Sequence, residues 1–371
     1  MKYVLSIDWL TIFCVFVDDG EWQPDETAHT RTTGTPFTYK KEDFGTRCFS
    51  RFYRVRMPNE EGGVDEFAEI QATPYSDILP PYAVMVRFVN RALYLPNFWT
   101  LAEDMLQQNR LSARGISRID ICADFNQFET MTPKALIEGF ASKKFRHIGR
   151  GVGALYFNHG IGVEKDDHDR PIADYGVQYT GLSFGTHGSD AHVYLYNKTL
   201  ELDTQGDKPW IRDTWSNAGL DVRHVWRLEV SIKAKGLKFR DKATKTDVQI
   251  DVPLIYEEDG LEKVYHTFVK RLFAFIRNRK GITNVSREPR LILFRDHPIW
   301  DRGTIRNLSP GNRTERVLIR QLFQFADRYR GFAIFDAAGT SQDLADRLAW
   351  ATGLHDWYEE KQDQWEKPIH K

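Results

Sequence analysis

Apolar and polar residues alternate most clearly between Ile116 and Phe125. Ile119, Ile121, Ala123 and Phe125 fall on one side, and Arg118, Asp120, Cys122 and Asp124 on the other. A period of two is that of a β-strand. This strand is expected to bury its apolar side and to present two carboxylates and a guanidinium on the opposite one. His224 to Lys233 repeats the pattern, with Trp226, Leu228, Val230 and Ile232 against Arg227, Glu229, Ser231 and Lys233. Ser183 to Glu201 reads as a strand, a glycine-containing turn and a second strand, whose one side carries His192, Tyr194, Tyr196 and Lys198.

The first hundred residues read as β-rich, with strands over Val4 to Val17, Arg47 to Met57, Phe67 to Thr73 and Tyr82 to Tyr94, and a loop or irregular hairpin over Asp18 to Lys41. Helical spacing covers Pro96 to Asn109, and a Thr-Pro start predicts a helix from Thr132 to about Ser142. Gly149 to His159 predicts a turn and a short strand, and Gly162 to Tyr175 a charged insertion. Beyond about Leu237 the pattern turns helical. One stripe runs from Leu261 to Ile276, a second helix is expected from Arg313 to Tyr329, and two short ones over Ser341 to Trp350 and Leu354 to Glu366.

These elements predict an α+β protein, with a largely antiparallel sheet in residues 1–236 and a mainly helical C-terminal region, a candidate for DNA binding, in 237–371. Ser6-Ile7-Asp8 echoes Arg118-Ile119-Asp120, and Val86-Arg87-Phe88 echoes Trp226-Arg227-Leu228, in the same order. The echo reads either as a pseudo-repeat of halves 1–110 and 111–236, with Val89 where the second copy has Glu229, or as chance similarity between strands.

Composition narrows the class. A chain of 371 residues with 41% hydrophobic content can build a substantial core. Its three cysteines, Cys14, Cys48 and Cys122, are too few and scattered for a disulfide framework or a Cys-rich zinc site, which points to a reducing cytoplasm. No apolar run reaches the length of a membrane span. A net charge of -1 gives no global case for nucleic acid, but Lys263 to Arg320 holds 14 Lys/Arg against 4 Asp/Glu. That block is the better candidate for a phosphate-facing surface, although a solvated helix face is the common use of such charge.

Three strands thus offer complementary polar faces: Arg118, Asp120 and Asp124; His192, Tyr194, Tyr196 and Lys198; Arg227 and Glu229. Carboxylate oxygens suit Mg²⁺ or Mn²⁺, and such an ion polarises a phosphate under attack. Tyrosine, with an ordinary pKa of ~10, needs a cation or base to become a nucleophile. Tyr196 is the expected nucleophile, with Tyr194, one pleat away, as its competitor. Structural uses compete as well: Asp120 in a salt bridge, Tyr196 as a half-buried strand residue, and His187 and His192 as ordinary surface histidines.

At these residues the sequence resembles the replication initiation factor family, which includes rolling-circle initiators of the staphylococcal pT181-type plasmids and relaxases of integrative conjugative elements. The carriers are Ser6-Ile7-Asp8-Trp9-Leu10, Ser117 to Asp124, Phe184-Gly185 with Ser189-Asp190, Tyr194-Leu195-Tyr196-Asn197-Lys198 and Trp226 to Val230, over about 60% of the chain. Thr186-His187 stands where the family usually has a basic residue. The resemblance implies a sequence-specific nickase that joins Tyr196 to a 5′ phosphate and leaves a 3′-OH. It places divalent metal on Asp120, Asp124 and Glu229, and Lys198 and Arg227 are the basic members of the catalytic set. The partners then expected are origin DNA, duplex and single-stranded, a host helicase and a second copy of the chain, in the cytoplasm of a bacterial host. The same chemistry serving conjugative transfer, and a non-catalytic DNA-binding protein, are the alternatives.

Overall fold

The computed structural model describes residues 1–18, 21–24, 33–59, 62–76, 79–149, 151, 153–158, 178–186, 188–279, 284–300 and 302–303. The expected insertion over Gly162 to Tyr175, His187, and the helices expected beyond Arg313 lie outside these residues. Two compact units divide the chain, Met1–Ile305 and Arg306–Lys371.

The first unit opens with β1 (Tyr3–Phe16), β2 (Thr38–Lys41), β3 (Phe49–Pro58), β4 (Val64–Pro74) and β5 (Ala83–Phe88). Two helices follow, α1 (Asn90–Leu93) and α2 (Phe98–Gln108), then β6 (Leu111–Phe125), α3 (Pro133–Ala141), β7 (Phe145–His147), β8 (Gly153–Asn158), β9 (Gln178–Phe184) and β10 (Ala191–Asn197). The helices α4 (Lys198–Gln205) and α5 (Pro209–Asn217) lead to β11 (Trp226–Lys233), β12 (Lys238–Asp241), β13 (Asp247–Gln249), α6 (Val252–Tyr256), α7 (Gly260–Leu272), β14 (Phe275–Arg277) and β15 (Arg302–Gly303).

Ten strands form one antiparallel sheet in the order β2-β3-β4-β5-β1-β6-β11-β10-β9-β8. The fold is therefore α+β. Each half places its first strand at the centre and returns its last strand beside it, so β5-β1 and β11-β6 are equivalent pairs about the β1–β6 seam. The echoing tripeptides sit on these equivalent strands, as a pseudo-repeat requires.

Alternation decides which face is buried. Ile119, Ile121, Ala123 and Phe125 of β6 and Leu228, Val230 and Ile232 of β11 are buried in one large core with Phe98, Leu101 and Met105 of α2 and Val264, Tyr265 and Phe268 of α7. The Tyr265 hydroxyl donates to the Leu228 carbonyl at 3.0 Å, which fixes α7 across β11. The boundary expected near 236 thus falls inside the first unit. A smaller core, made by Leu202 of α4, Ile211 and Trp215 of α5, Leu220 and Val225, packs against Val4 and Tyr94.

Several element ends differ from the sequence reading. β5 stops at Phe88 and the chain turns into α1, where Asn90 donates to the Asp8 backbone carbonyl and carboxylate at 3.2 and 3.1 Å. The expected loop over Asp18 to Lys41 holds β2, a short edge strand paired with β3. The helical stripe ends at Leu272, because Phe275 and Ile276 pair with His147 and Arg146. Thr132 caps α3 as expected, accepting from the Ala135 amide at 3.2 Å.

Candidate active site

Antiparallel register puts directly opposed residues on one face. Asp124 faces Arg227 and Arg227 faces Tyr196; Cys122 faces Glu229 and Glu229 faces Tyr194; Asp120 faces Ser231 and Ser231 faces His192. Tyr196, Asp120, Asp124 and Glu229 therefore share one side of one sheet, opposite α7. Asp8 and Trp9 join them. Ile7 pairs with Ile121 and Trp9 with Asp120, so Asp8 is the extra residue of a β-bulge that turns two consecutive side chains to the polar face.

Arg227 organises this face. It is 0% exposed. Its Nε and Nη2 donate to Asp124 Oδ1 and Oδ2, both at 2.7 Å, while Nη1 donates to Asp8 and Nη2 also reaches the Tyr94 hydroxyl at 3.1 Å. Trp215 Nε1 of α5 adds a further donor to Asp124 Oδ2 at 2.7 Å. Both oxygens of Asp124 are thereby engaged, and Asp124 and Arg227 act on each other rather than facing the open part of the site. The bidentate fork satisfies a buried guanidinium that would otherwise be very costly.

One pleat outward, Tyr196 is 9% exposed and donates to Glu229 Oε2 at 3.2 Å. Burial, then the Glu229 charge, pushes its phenol well above the ordinary range, so the resting form is the neutral phenol. Glu229 is pushed up to about 7 by burial and by the charges of Asp8 and Asp120, against the opposing pull of Arg227 and Lys198. A carboxylate in that state accepts a proton near neutral pH.

Lys198 does not lie on the strand. β10 ends at Asn197, whose Oδ1 accepts from the Leu200 amide at 3.0 Å and so starts α4 at Lys198. The helical turn folds the buried lysine back under the strand end, where Nζ lies 3.5 Å from the Tyr196 hydroxyl and 2.5 Å from Glu201 Oε2. Tyr194 stacks on Tyr196 with centroids 4.6 Å apart, and Tyr156 of β8 packs on Tyr194 at 5.0 Å. Gly181 makes room for this ladder, since a Cβ there would lie 2.8 Å from the Tyr194 ring. Burial raises the Tyr194 phenol to about 12.

Asp120 accepts a forked pair from Arg118 Nε and Nη2. Arg118 and Arg87 each place a guanidinium 4.6 Å from the Trp9 ring centroid. Ser231 Oγ, across from Asp120, is buried without a hydrogen-bond partner. Both oxygens of Asp120 are thus engaged by Arg118, and among the described residues the expected metal set of Asp120, Asp124 and Glu229 is not brought together as a three-ligand cluster.

A second group with metal-binding chemistry lies on the opposite face. Glu262, His266 and His297 offer ligand atoms that all lie within 4.8 Å of one another, so these residues could hold a divalent metal. The spacing of Glu262 and His266, four apart on one helix, was available in the sequence, whereas His297 is distant in the chain.

The described helices include none long and apolar enough to cross a membrane. No family model matches the chain, and a search of curated proteins finds no significant relative. Among solved structures, a rolling circle replication initiator protein from Geobacillus stearothermophilus aligns over 77% of this chain and 92% of its own, with a TM-score of 0.41 and 11% identity. Similarity of that depth transfers neither an activity nor a site, so the chemistry has to stand on the residues themselves.

Proposed function

We propose that the chain is a metal-dependent tyrosine DNA endonuclease and strand transferase that initiates rolling-circle replication. The observation that carries this reading is the 3.2 Å hydrogen bond from Tyr196 to Glu229, a carboxylate held at about 7, on the same face as Asp120.

Glu229 takes the phenol proton as Tyr196 Oη attacks the phosphorus of a DNA phosphodiester. The new bond is Tyr196 O–P, the bond that breaks is P–O3′, and the departing 3′ oxygen takes a proton from solvent. Lys198, 3.5 Å from the hydroxyl, stabilises the charge that develops on the phenol oxygen. The 5′-phosphotyrosine conserves the bond energy, so a 3′-OH can reverse the step and reseal the strand. A Mg²⁺ or Mn²⁺ ion entering with the DNA phosphate, on Asp120 beside Ser231 Oγ, would supply Lewis-acid polarisation of the phosphate and leave Glu229 free as the base. Asp124 and Arg227 are positioning residues, which hold Asp8 and the β11 strand in place beneath the site.

Incubation with a pooled library of supercoiled DNA and Mn²⁺ tests the proposal. Strands that remain on the protein after denaturation are sequenced from their 5′ ends, and one recurrent cleavage sequence is expected. Absence of any denaturation-resistant adduct with both Mg²⁺ and Mn²⁺ rejects nicking. The burial of Tyr196 beside the 42% exposed Tyr156 favours a second reading, in which the tyrosine ladder stacks on unpaired bases without cutting them. Binding of single strands that persists without any adduct selects it.

A further inference from the structure

We infer that Glu262, His266 and His297, with Tyr3 as a fourth oxygen, form a binding site for a borderline transition cation such as Zn²⁺ or Co²⁺, separate from the acidic face. The four residues come from three parts of the chain: Tyr3 opens β1, Glu262 and His266 lie one turn apart on α7, and His297 belongs to the segment after β14. Tyr3 pairs with Phe125, so the cluster sits on the apolar side of the sheet.

Proton counting shows why these groups are incomplete by themselves. The Tyr3 hydroxyl donates its one proton to Glu262 Oε1. His266 Nε2 at 3.2 Å and His297 Nε2 at 3.3 Å can then bond to the phenol oxygen only by bringing protons of their own. His297 Nδ1 lies 3.2 Å from Glu262 Oε1. If neutral His297 carries its proton on Nε2, a bare Nδ1 faces a carboxylate oxygen. If the proton is on Nδ1, a bare Nε2 faces a phenol oxygen whose proton points elsewhere. Either tautomer sets one lone pair against another, and the cluster lacks one positive charge.

The spacing favours a metal for that charge. Bonds of ~2.0–2.1 Å to nitrogen and oxygen in a tetrahedral shell set neighbouring ligand atoms roughly 3.3 Å apart. The Glu262–His297 separation of 3.2 Å is close to that edge, whereas His266 Nε2, 4.0 Å from the same oxygen, must move inward and the Tyr3 oxygen outward. Two imidazoles and one carboxylate select a borderline metal over Mg²⁺, which takes oxygen. The imidazoles are stacked at 3.9 Å with planes 7° apart, so one ring must rotate for both nitrogens to converge. A cleft of about 220 Å³ lined by His266, Phe294 and His297 gives space for that rotation and a route for the ion. The bound ion would clasp the post-β14 segment to β1 and α7.

Equilibrium dialysis of chelator-stripped full-length protein against Co²⁺ tests the site. With excess Mg²⁺ present throughout to occupy the acidic face, one Co²⁺ per chain is expected, with the intense visible absorption of a low-coordinate ion, displaced by Zn²⁺. Affinity should fall at least tenfold in His266→Gln and in His297→Gln and stay unchanged in Glu229→Gln. No Co²⁺ uptake by the wild-type protein overturns the inference. A smaller loss in the histidine variants, or a loss in Glu229→Gln, overturns it too, and the wild-type measurement stands even if a variant fails to fold.

Discussion

The two halves of the sheet solve the same local problem in different ways. In the first half Arg87 on β5 faces Thr11 on the inner strand and Glu69 on the outer one, and its ion pair is with outer Glu69. In the second half Arg227 on β11 faces inner Asp124 and outer Tyr196, and its ion pair is with inner Asp124. Moving the counter-charge from the outer to the inner strand leaves the outer position open for a tyrosine. Two residues on, Val89 of the first half stands against Glu229 of the second, so the proton acceptor is also confined to one half. The shared topology holds an arginine in each half, and the reactive arrangement depends on which neighbour neutralises it.

The largest effect should come from Tyr196→Phe, which is expected to remove covalent adduct formation entirely. The phenyl ring keeps the stack on Tyr194 but leaves Glu229 and Lys198 without the hydroxyl, so stability should fall by about 1–3 kcal/mol in urea unfolding, short of unfolding the chain. Next is the contrast between the arginines. Arg227→Met leaves Asp124 and Asp8 without their buried partner and should cost about 3–5 kcal/mol. Arg87→Met strands Glu69, which is buried, but removes a partly exposed arginine, so it should cost less, about 1–2 kcal/mol. Equal losses at the two positions would erase the distinction between the halves.

Glu229→Gln separates stability from activity. The folded pKa of Glu229, about 7, lies above the ordinary 4.5. Between those values the folded chain keeps a proton that the unfolded chain releases, so this group lowers stability as pH rises through the window, with the full penalty above about 7. Glu229→Gln should therefore melt higher than the wild type at pH 8, gain little at pH 4.5, and nick far more slowly. The smallest effect is the pH profile of the wild-type rate, which should rise through about 7 as Glu229 loses its proton.

Much of this face was legible in the sequence because a strand's side chains alternate strictly. The polar sets Asp120/Asp124 and Arg227/Glu229 followed from that period, and antiparallel pairing brought them to Tyr196. Non-local contacts were not legible. Asp124 is claimed by Trp215, 91 residues away, and nothing in the alternation of β6 distinguishes it from Asp120, whose neighbour is Arg118. Lys198 continued the period past the strand end, and only the Asn197 cap reveals that a helix begins there. Asp8 was visible as a motif residue, but its turn toward Arg227 depends on a bulge that periodicity conceals. The raised state of Glu229 is a property of three strands together, which no single segment contains.

Peptide mass spectrometry of the trapped protein–DNA adduct tests the central claim most directly. After nuclease trimming, the remaining nucleotide is predicted on Tyr196, with no adduct formed by Tyr196→Phe and a normal one by Tyr194→Phe. A nucleotide on Tyr194, or an adduct that persists in Tyr196→Phe, would contradict the account.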